Sequence, residues 1–255
     1  MVFRDHVVLI TGAASGIGLE TARMFLKEGA VIIGADLNEA ALTRALGELG
    51  PSFIPRTCDV RSEEDVREVA RYTETAHGRV DVLVNNAGAG KFGISPEMMK
   101  EEDFSYHFDI LVRGPMRMVH HLVPLLRRST APSIVNISSI AARITYSAHF
   151  LYSSAKAALE KYTAHLVRDL PGIRVNCILP GLIDTPIYTR ETGLTRDQVQ
   201  PLFDTVSARI PCGRIGLPAD IAECVLFLSS GRASYINGAS VVIDGGYQFN
   251  PDWGI

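Results

Sequence analysis

Hydrophobic residues recur along the chain in short β-rich runs separated by amphipathic stretches. The runs are Val7-Ile10, Val31-Ala35, Phe53-Thr57, Val80-Val84, Ser133-Ile137, Ile173-Ile178 and Ser240-Ile243. Between them, stretches such as Gly18-Glu28, Glu63-Ala76, Ser154-Leu170 and Ala219-Leu228 carry helical periodicity. Strands that alternate with helices predict an α/β fold, a doubly wound Rossmann-like parallel sheet of about seven strands with helices on both faces. Near-continuous apolar strands such as Val7-Val8-Leu9-Ile10 agree, because a strand covered on both faces has no polar side. The rhythm breaks between Thr185 and Pro211, where Pro186, Gly193 and Pro201 accompany no clear strand. An irregular stretch of this length in a compact fold predicts a substrate lid, placed at about 182–212.

Composition narrows the class. The chain has 255 residues without a composition break, which fits one dinucleotide-binding and catalytic domain over 1–255. Lys and Arg number 25 against 28 Asp and Glu, a formal charge of −3 with both signs scattered. No basic block points to nucleic acid or to an anionic membrane. No apolar run approaches the roughly 20 residues of a membrane span. The opening Met1-Val2-Phe3-Arg4-Asp5-His6 leads straight into a predicted strand and does not read as a secretory leader. Cys58, Cys177, Cys212 and Cys224 are widely spaced with no CxxC pair, so buried free thiols, a cytoplasmic location and no metal site are expected.

Candidate chemistry gathers at the predicted strand ends. Thr11-Gly12-Ala13-Ala14-Ser15-Gly16-Ile17-Gly18 follows the first strand and opens the first helix. Its glycines permit close backbone approach to a phosphate, and the helix N-terminus offers unpaired N–H groups and a positive dipole end. The spacing is G-x-x-x-G-x-G, so this turn alone is weak evidence. Asp36, ending the second strand 18 residues after Gly18, strengthens it. A carboxylate there accepts bonds from a free adenosine ribose and repels a 2′-phosphate. The next residue is Leu37, not a cation, so NAD is expected over NADP. The competing reading of Asp36 is a helix N-cap. Asp59-Val60 and Asn85-Asn86-Ala87-Gly88 end the third and fourth strands, on the side where open α/β sheets bind ligands.

Tyr152-Ser153-Ser154-Ala155-Lys156 sits at the start of a predicted helix. Residues four apart share a helix face, so the Lys156 ammonium is expected to lower the Tyr152 pKa from about 10. A tyrosine tuned in this way exchanges a proton with an alcohol or ketone oxygen. Ser139, 13 residues earlier at the end of the fifth strand, is placed to bond the same oxygen. A surface helix pair is the plainer explanation of Tyr-x-x-x-Lys taken alone.

Together these motifs resemble the short-chain dehydrogenase/reductase family. The resemblance runs through Thr11-Gly12-x3-Gly16-Ile17-Gly18, Asp59, Asn85-Asn86-Ala87-Gly88, Ser139, Tyr152-x3-Lys156, Pro180-Gly181-x3-Thr185, Tyr235-Ile236-Asn237-Gly238 and Asp244-Gly245-Gly246. It implies Tyr152 as acid/base, Lys156 on the nicotinamide ribose, Ser139 on the substrate oxygen, and Ile183 and Thr185 near the carboxamide. It also implies a homotetramer acting on a small-molecule alcohol or ketone. One departure stands out: Leu111 occupies the place of a family Asn that helps hold a relay water. Pro115 has no N–H to give the Leu111 carbonyl in an α-helix, so that carbonyl is expected to be free for the water. The departure also keeps open a second reading, a dinucleotide-binding sensor or scaffold with little turnover. A sugar-nucleotide epimerase or dehydratase is disfavoured by the short stretch after Thr185.

The segment around Ile187, Tyr188, Leu194, Leu202 and Phe203, with Arg190, Arg196 and Arg209 interleaved, suggests a mostly apolar substrate. Phe92, Ile140, His149 and Phe150 are further pocket candidates. The aromatic tail from Tyr247 to Ile255 is expected to dock on its own subunit or on a neighbour's pocket.

Overall fold

The computed structural model describes residues 1–91, 93–145 and 149–249. Phe92 and the tail from Asn250 to Ile255 lie outside the described residues, so the expectations placed on them are not taken further. Seven parallel strands form one sheet in the order β3-β2-β1-β4-β5-β6-β7. They are β1 (Val7–Thr11), β2 (Val31–Asp36), β3 (Phe53–Thr57), β4 (Val82–Asn85), β5 (Ser133–Ile137), β6 (Arg174–Pro180) and β7 (Ser240–Ile243). Every strand run expected from the sequence is present.

Helices α1 (Gly16–Lys27), α2 (Glu39–Leu49) and α3 (Glu63–His77) connect the first strands. Between β4 and β5 lie α4 (Glu101–Phe108), a π-helical turn (Asp109–Arg113) and α5 (Gly114–Leu126). Then come α6 (Phe150–Asp169), α7 (Ile187–Thr192), α8 (Arg196–Ser207) and α9 (Pro218–Ser229). The segment read from the sequence as irregular therefore holds two short helices. The second is announced by a capping box in which Thr195 and Gln198 satisfy each other's backbone N–H groups.

Period-2 alternation sorts the strand side chains into two cores. Val8 and Ile10 of β1 pack with Phe25 of α1, Leu42 of α2 and Val225 of α9. Val7 and Leu9 point the other way, among Val66 of α3, Met118 and Leu122 of α5, and Leu166 of α6. A third cluster joins Ile140, Cys177 and Leu179 to Val206, Ile210 and Tyr247. Ile140 is thus a core residue, and so is Phe203, which is 1% exposed.

Chain order reverses direction across the sheet between β1 and β4, where Ile10 pairs with Gly34 on one side and with Val84 on the other. The loops leaving these two strands diverge to opposite faces and open a crevice at their carboxyl ends, the usual ligand position in open α/β sheets.

Candidate active site

The crevice is built first from backbone. Thr11 Oγ1 accepts the N–H groups of Asn86 and Ala87, each at 3.0 Å. Asn86 Nδ2 donates back to the carbonyls of Thr11 at 2.9 Å and Gly12 at 3.1 Å. The loops after β1 and β4 are therefore stitched to one another. Both Asn86 side-chain donors are committed to this stitch, leaving its carbonyl groups for any ligand. Gly12 has φ +65°, and a Cβ on it would lie 2.9 Å from Asn86 Nδ2. At Gly18 a Cβ would fall 2.1 Å from the Gly12 carbonyl oxygen, so only glycine lets the first turn of α1 press against the loop. Gly16 faces Thr185 from beyond β6, whose Cγ2 would stand 3.2 Å from an added Cβ. Ser15 is the N-cap residue of α1, in extended conformation with no side-chain cap bond. Ile17 packs against the first core.

Asp36 is half-buried and aimed back at this loop. One carboxylate oxygen accepts from the Ala14 N–H at 3.0 Å, the other from the Asn38 N–H at 3.0 Å. The cap of α2 is Asn38, which accepts from the Ala41 N–H at 2.9 Å. The plainer reading of Asp36 as that helix's N-cap is thereby displaced. Leu37 is 61% exposed at the same rim.

Asp59 sits two residues beyond β3, gripped by Arg61 through Nη2 at 2.6 Å, and that guanidinium holds its carboxyl below the usual carboxylate range. Val60 is buried against Gly114 at the start of α5. Gly88 neighbours the Leu111 side chain. Gly181 donates its N–H to the Ile243 carbonyl at 2.8 Å, just after Pro180 at the end of β6, and Ile183 is buried.

The reacting groups come from β5 and α6. Ser139 caps the short 3₁₀ turn Ile140–Ala142, its Oγ accepting from the Ala141 N–H at 3.1 Å. Tyr152 lies in the first turn of α6, and its hydroxyl is hydrogen-bonded by Ser139. Lys156 is 4% exposed and donates from Nζ to the Ile137 carbonyl at 2.8 Å. Ser138 Oγ donates to the Lys156 carbonyl at 2.9 Å, fastening α6 to the end of β5. Below it, Asn85 Nδ2 reaches Asn136 Oδ1 at 2.8 Å, and Asn136 Nδ2 reaches Thr163 Oγ1 at 2.9 Å. Sequence reasoning did not single out Ser138, Asn136 or Thr163. Nothing local distinguishes them from ordinary core polar residues.

The expected lowering of the Tyr152 pKa by Lys156 is not what the structure shows. Desolvation pushes the Tyr152 hydroxyl up to about 12, opposed by the Ser139 hydrogen bond. Lys156 Nζ stands 5.7 Å from the tyrosine ring centroid and is bonded to a backbone carbonyl, while desolvation pushes its own pKa down to about 8.

Leu111 is buried at 1% exposure inside the π-helical turn, where the Gly114 N–H reaches back to the Asp109 carbonyl. The segment is helical, but wound wider than the α-helix assumed from the sequence. In the segment after β6, Arg190 Nη2 donates to the Gly88 carbonyl at 2.9 Å, and the Tyr106 hydroxyl donates to Glu191 Oε2 at 3.2 Å. Arg196 pairs with Asp184, and Tyr188 meets Phe203 edge-on.

Comparison with known proteins gives the family. Residues 12–248 match a family model described as enoyl-(acyl carrier protein) reductase. The chain is 35% identical to a 3-oxoacyl-(acyl-carrier-protein) reductase of Thermotoga maritima, covering 96% of this chain and 99% of that protein. It is 34% identical to L-fucose dehydrogenase of Bos taurus, covering 96% and 90%. Among solved structures, a 3-ketoacyl-(acyl-carrier-protein) reductase from Brucella melitensis complexed with NADH superposes with a TM-score of 0.87 at 31% identity, covering 96% of this chain and 99% of that one. The chain belongs to the short-chain dehydrogenase/reductase family. It is accordingly an oxidoreductase of the dehydrogenase/reductase class, on a fold that binds a nicotinamide dinucleotide. No helix among the described residues is long and apolar enough to cross a membrane.

Gly18→Ala tests the cradle. The added methyl collides with the Gly12 carbonyl, so dinucleotide affinity is expected to fall at least about tenfold, measured by NADH fluorescence titration, while far-UV circular dichroism is retained.

Proposed function

We propose that the protein transfers a hydride between NAD(H) and a mostly apolar secondary alcohol or ketone, with Tyr152 as acid/base. The observation that supports this most is the Ser139–Tyr152 hydrogen bond beside the buried Lys156, at the same sheet edge as the glycine cradle. The residues present fit the dinucleotide. Gly12, Ser15, Gly16, Ile17 and Gly18 would take its pyrophosphate, and Asp36 with Leu37 its adenosine ribose. Asp59, Val60, Asn86, Ala87 and Gly88 would border the adenosine. Tyr152, Lys156, Pro180, Gly181, Ile183 and Thr185 would border the nicotinamide half. Asp36 supports NAD over NADP, because its carboxylate, held by two backbone N–H groups, would face a 2′-phosphate with like charge.

When bound, the dinucleotide supplies or accepts the hydride. The protein's part is the proton. With its pKa pushed up, Tyr152 keeps its hydroxyl proton through neutral pH and gives it to the carbonyl oxygen as the alcohol forms. Ser139 orients that oxygen by donating to it. Lys156 offers its remaining N–H donors to the nicotinamide ribose and stabilises the phenolate left behind. A water on the Leu111 carbonyl would return the proton to Tyr152 by way of Lys156. Residues 182–212 act as a substrate lid over a single domain. Half-buried Ile187, Tyr188 and Phe150 with the exposed Leu194 and Leu202 favour apolar substrate surface. The resemblance also carries a homotetramer, and the cysteine pattern a cytoplasmic location.

Turnover of NADH against a panel of ketones tests the activity directly. Tyr152→Phe is expected to lower kcat by about 10²–10⁴-fold with NADH still bound, and wild-type protein is expected to prefer NADH to NADPH. Binding without turnover across a broad panel would instead identify a sensor. In the reductive direction kcat/KM is expected to fall as pH rises through about 8, because Lys156 loses its proton there while Tyr152 does not; a flat alkaline profile would count against this role for Lys156.

A further inference from the structure

We propose that Arg190 and Glu191 form a two-point latch that seats α7 on the loop after β4 and sets the rate at which bound dinucleotide leaves. The inference rests on the oxidoreductase reading above and names residues that hold its lid.

Helix α7 cannot hold its position by itself. It has six residues, none of them buried as a whole. A helix this short is unstable without outside contacts. Tyr188 joins it to Phe203 of α8, and two polar points reach beyond the lid. Arg190 donates to the Gly88 carbonyl across 102 residues of sequence, and Glu191 accepts from the Tyr106 hydroxyl across 85. Arg190 Nε also donates to Glu191 Oε1 at 2.9 Å, joining the two points into one unit. Arg190 is exposed, whereas the Glu191 side chain is 7% exposed, so the second point is the drier one.

The opposing surface is rigidly built. The buried His107 takes the Lys91 N–H on Nε2 at 3.1 Å and meets the Asp103 carbonyl through Nδ1 at 2.7 Å. Lys91 Nζ pairs with Asp103 at 3.1 Å and lies 5.0 Å from the Tyr106 ring centroid. The loop from Asn86 to Lys91 is therefore fixed at one end by Thr11 and at the other by α4. The latch joins a small helix to this frame.

Coupling to the dinucleotide follows from chain continuity. Thr185 packs over Gly16 of the cradle, and only Pro186 separates it from α7. When α7 lifts, Thr185 is drawn from above the cradle, and the route out opens. Arg190 and Glu191 act through Gly88, Tyr106 and Thr185, so they are positioning residues.

NADH release followed by stopped-flow fluorescence tests this, with wild-type protein, Arg190→Ala, Tyr106→Phe and the double variant. Release is expected to quicken about five- to tenfold in Arg190→Ala and about two- to fivefold in Tyr106→Phe, and further in the double variant. KM for the dinucleotide should rise while kcat holds or increases, and the melting temperature should stay within about 2 °C of wild type. Arg128→Ala is the control, since it removes an exposed ion pair outside the lid, to Glu74; its release rate should match wild type. Wild-type release rates in both single variants overturn the latch. An equal quickening in Arg128→Ala also overturns it, in favour of general loosening. Wild-type protein that binds no nicotinamide dinucleotide overturns the oxidoreductase reading, and the latch with it.

Discussion

The structure depends on the reciprocal bonding between Thr11 and Asn86. A threonine at the end of β1 and an asparagine just past β4 satisfy each other's backbone and side-chain groups across 75 residues of sequence. The sheet alone would bring these strands together but would leave their exit loops free to splay, because the following helices cover opposite faces. With the loops locked, the glycine cradle has one shape before any ligand arrives, and no ordering cost falls on binding. The narrow space this leaves also explains why Gly12 and Gly18 tolerate no Cβ.

A second constraint is electrostatic. Lys156 is a buried cation whose visible partner is the Ile137 carbonyl, a dipole in place of a carboxylate. A carboxylate there would hold the ammonium tightly and raise its pKa. A carbonyl orients it and leaves its charge available to a neighbouring oxygen. Tyr152 is desolvated in the same pocket, so the two groups are displaced apart, the lysine down to about 8 and the tyrosine up to about 12. Burial thus disfavours the charged form of each, and Tyr152 is the group that keeps its proton at neutral pH.

Much of this was legible along the chain. The seven strands announced themselves because strands buried on both faces are apolar throughout, as in Val7-Val8-Leu9-Ile10. Tyr152, Lys156 and Ser139 stood out because their spacing puts them at strand and helix ends on one side of the sheet. Other features depend on distances that spacing does not contain. The direction of the Tyr152 pKa shift turned on desolvation, while the four-residue spacing spoke only of proximity. Helix α8 was hidden by Pro201 in its interior, although its Thr195-x-x-Gln198 capping box was present. Tyr106 and Arg190 carry no local mark at all, since each acquires its role from a partner 85 or 102 residues away.

The wide turn at Asp109–Arg113 bears on how this chain tolerates change in length. Its ring closes from the Gly114 N–H back to the Asp109 carbonyl, five residues apart, where an α-turn closes over four. The extra residue is taken up in the width of the turn, so the helices on either side face much as they would in one continuous α-helix a residue shorter. Deleting one residue from the turn would restore regular winding and leave Tyr106 and His107 toward the loop after β4 and Met118 and Leu122 toward the sheet. A deletion within α4 or α5 would instead rotate one end by about 100° and lift one of these faces away, so the wide turn is the place where this helix can lose a residue.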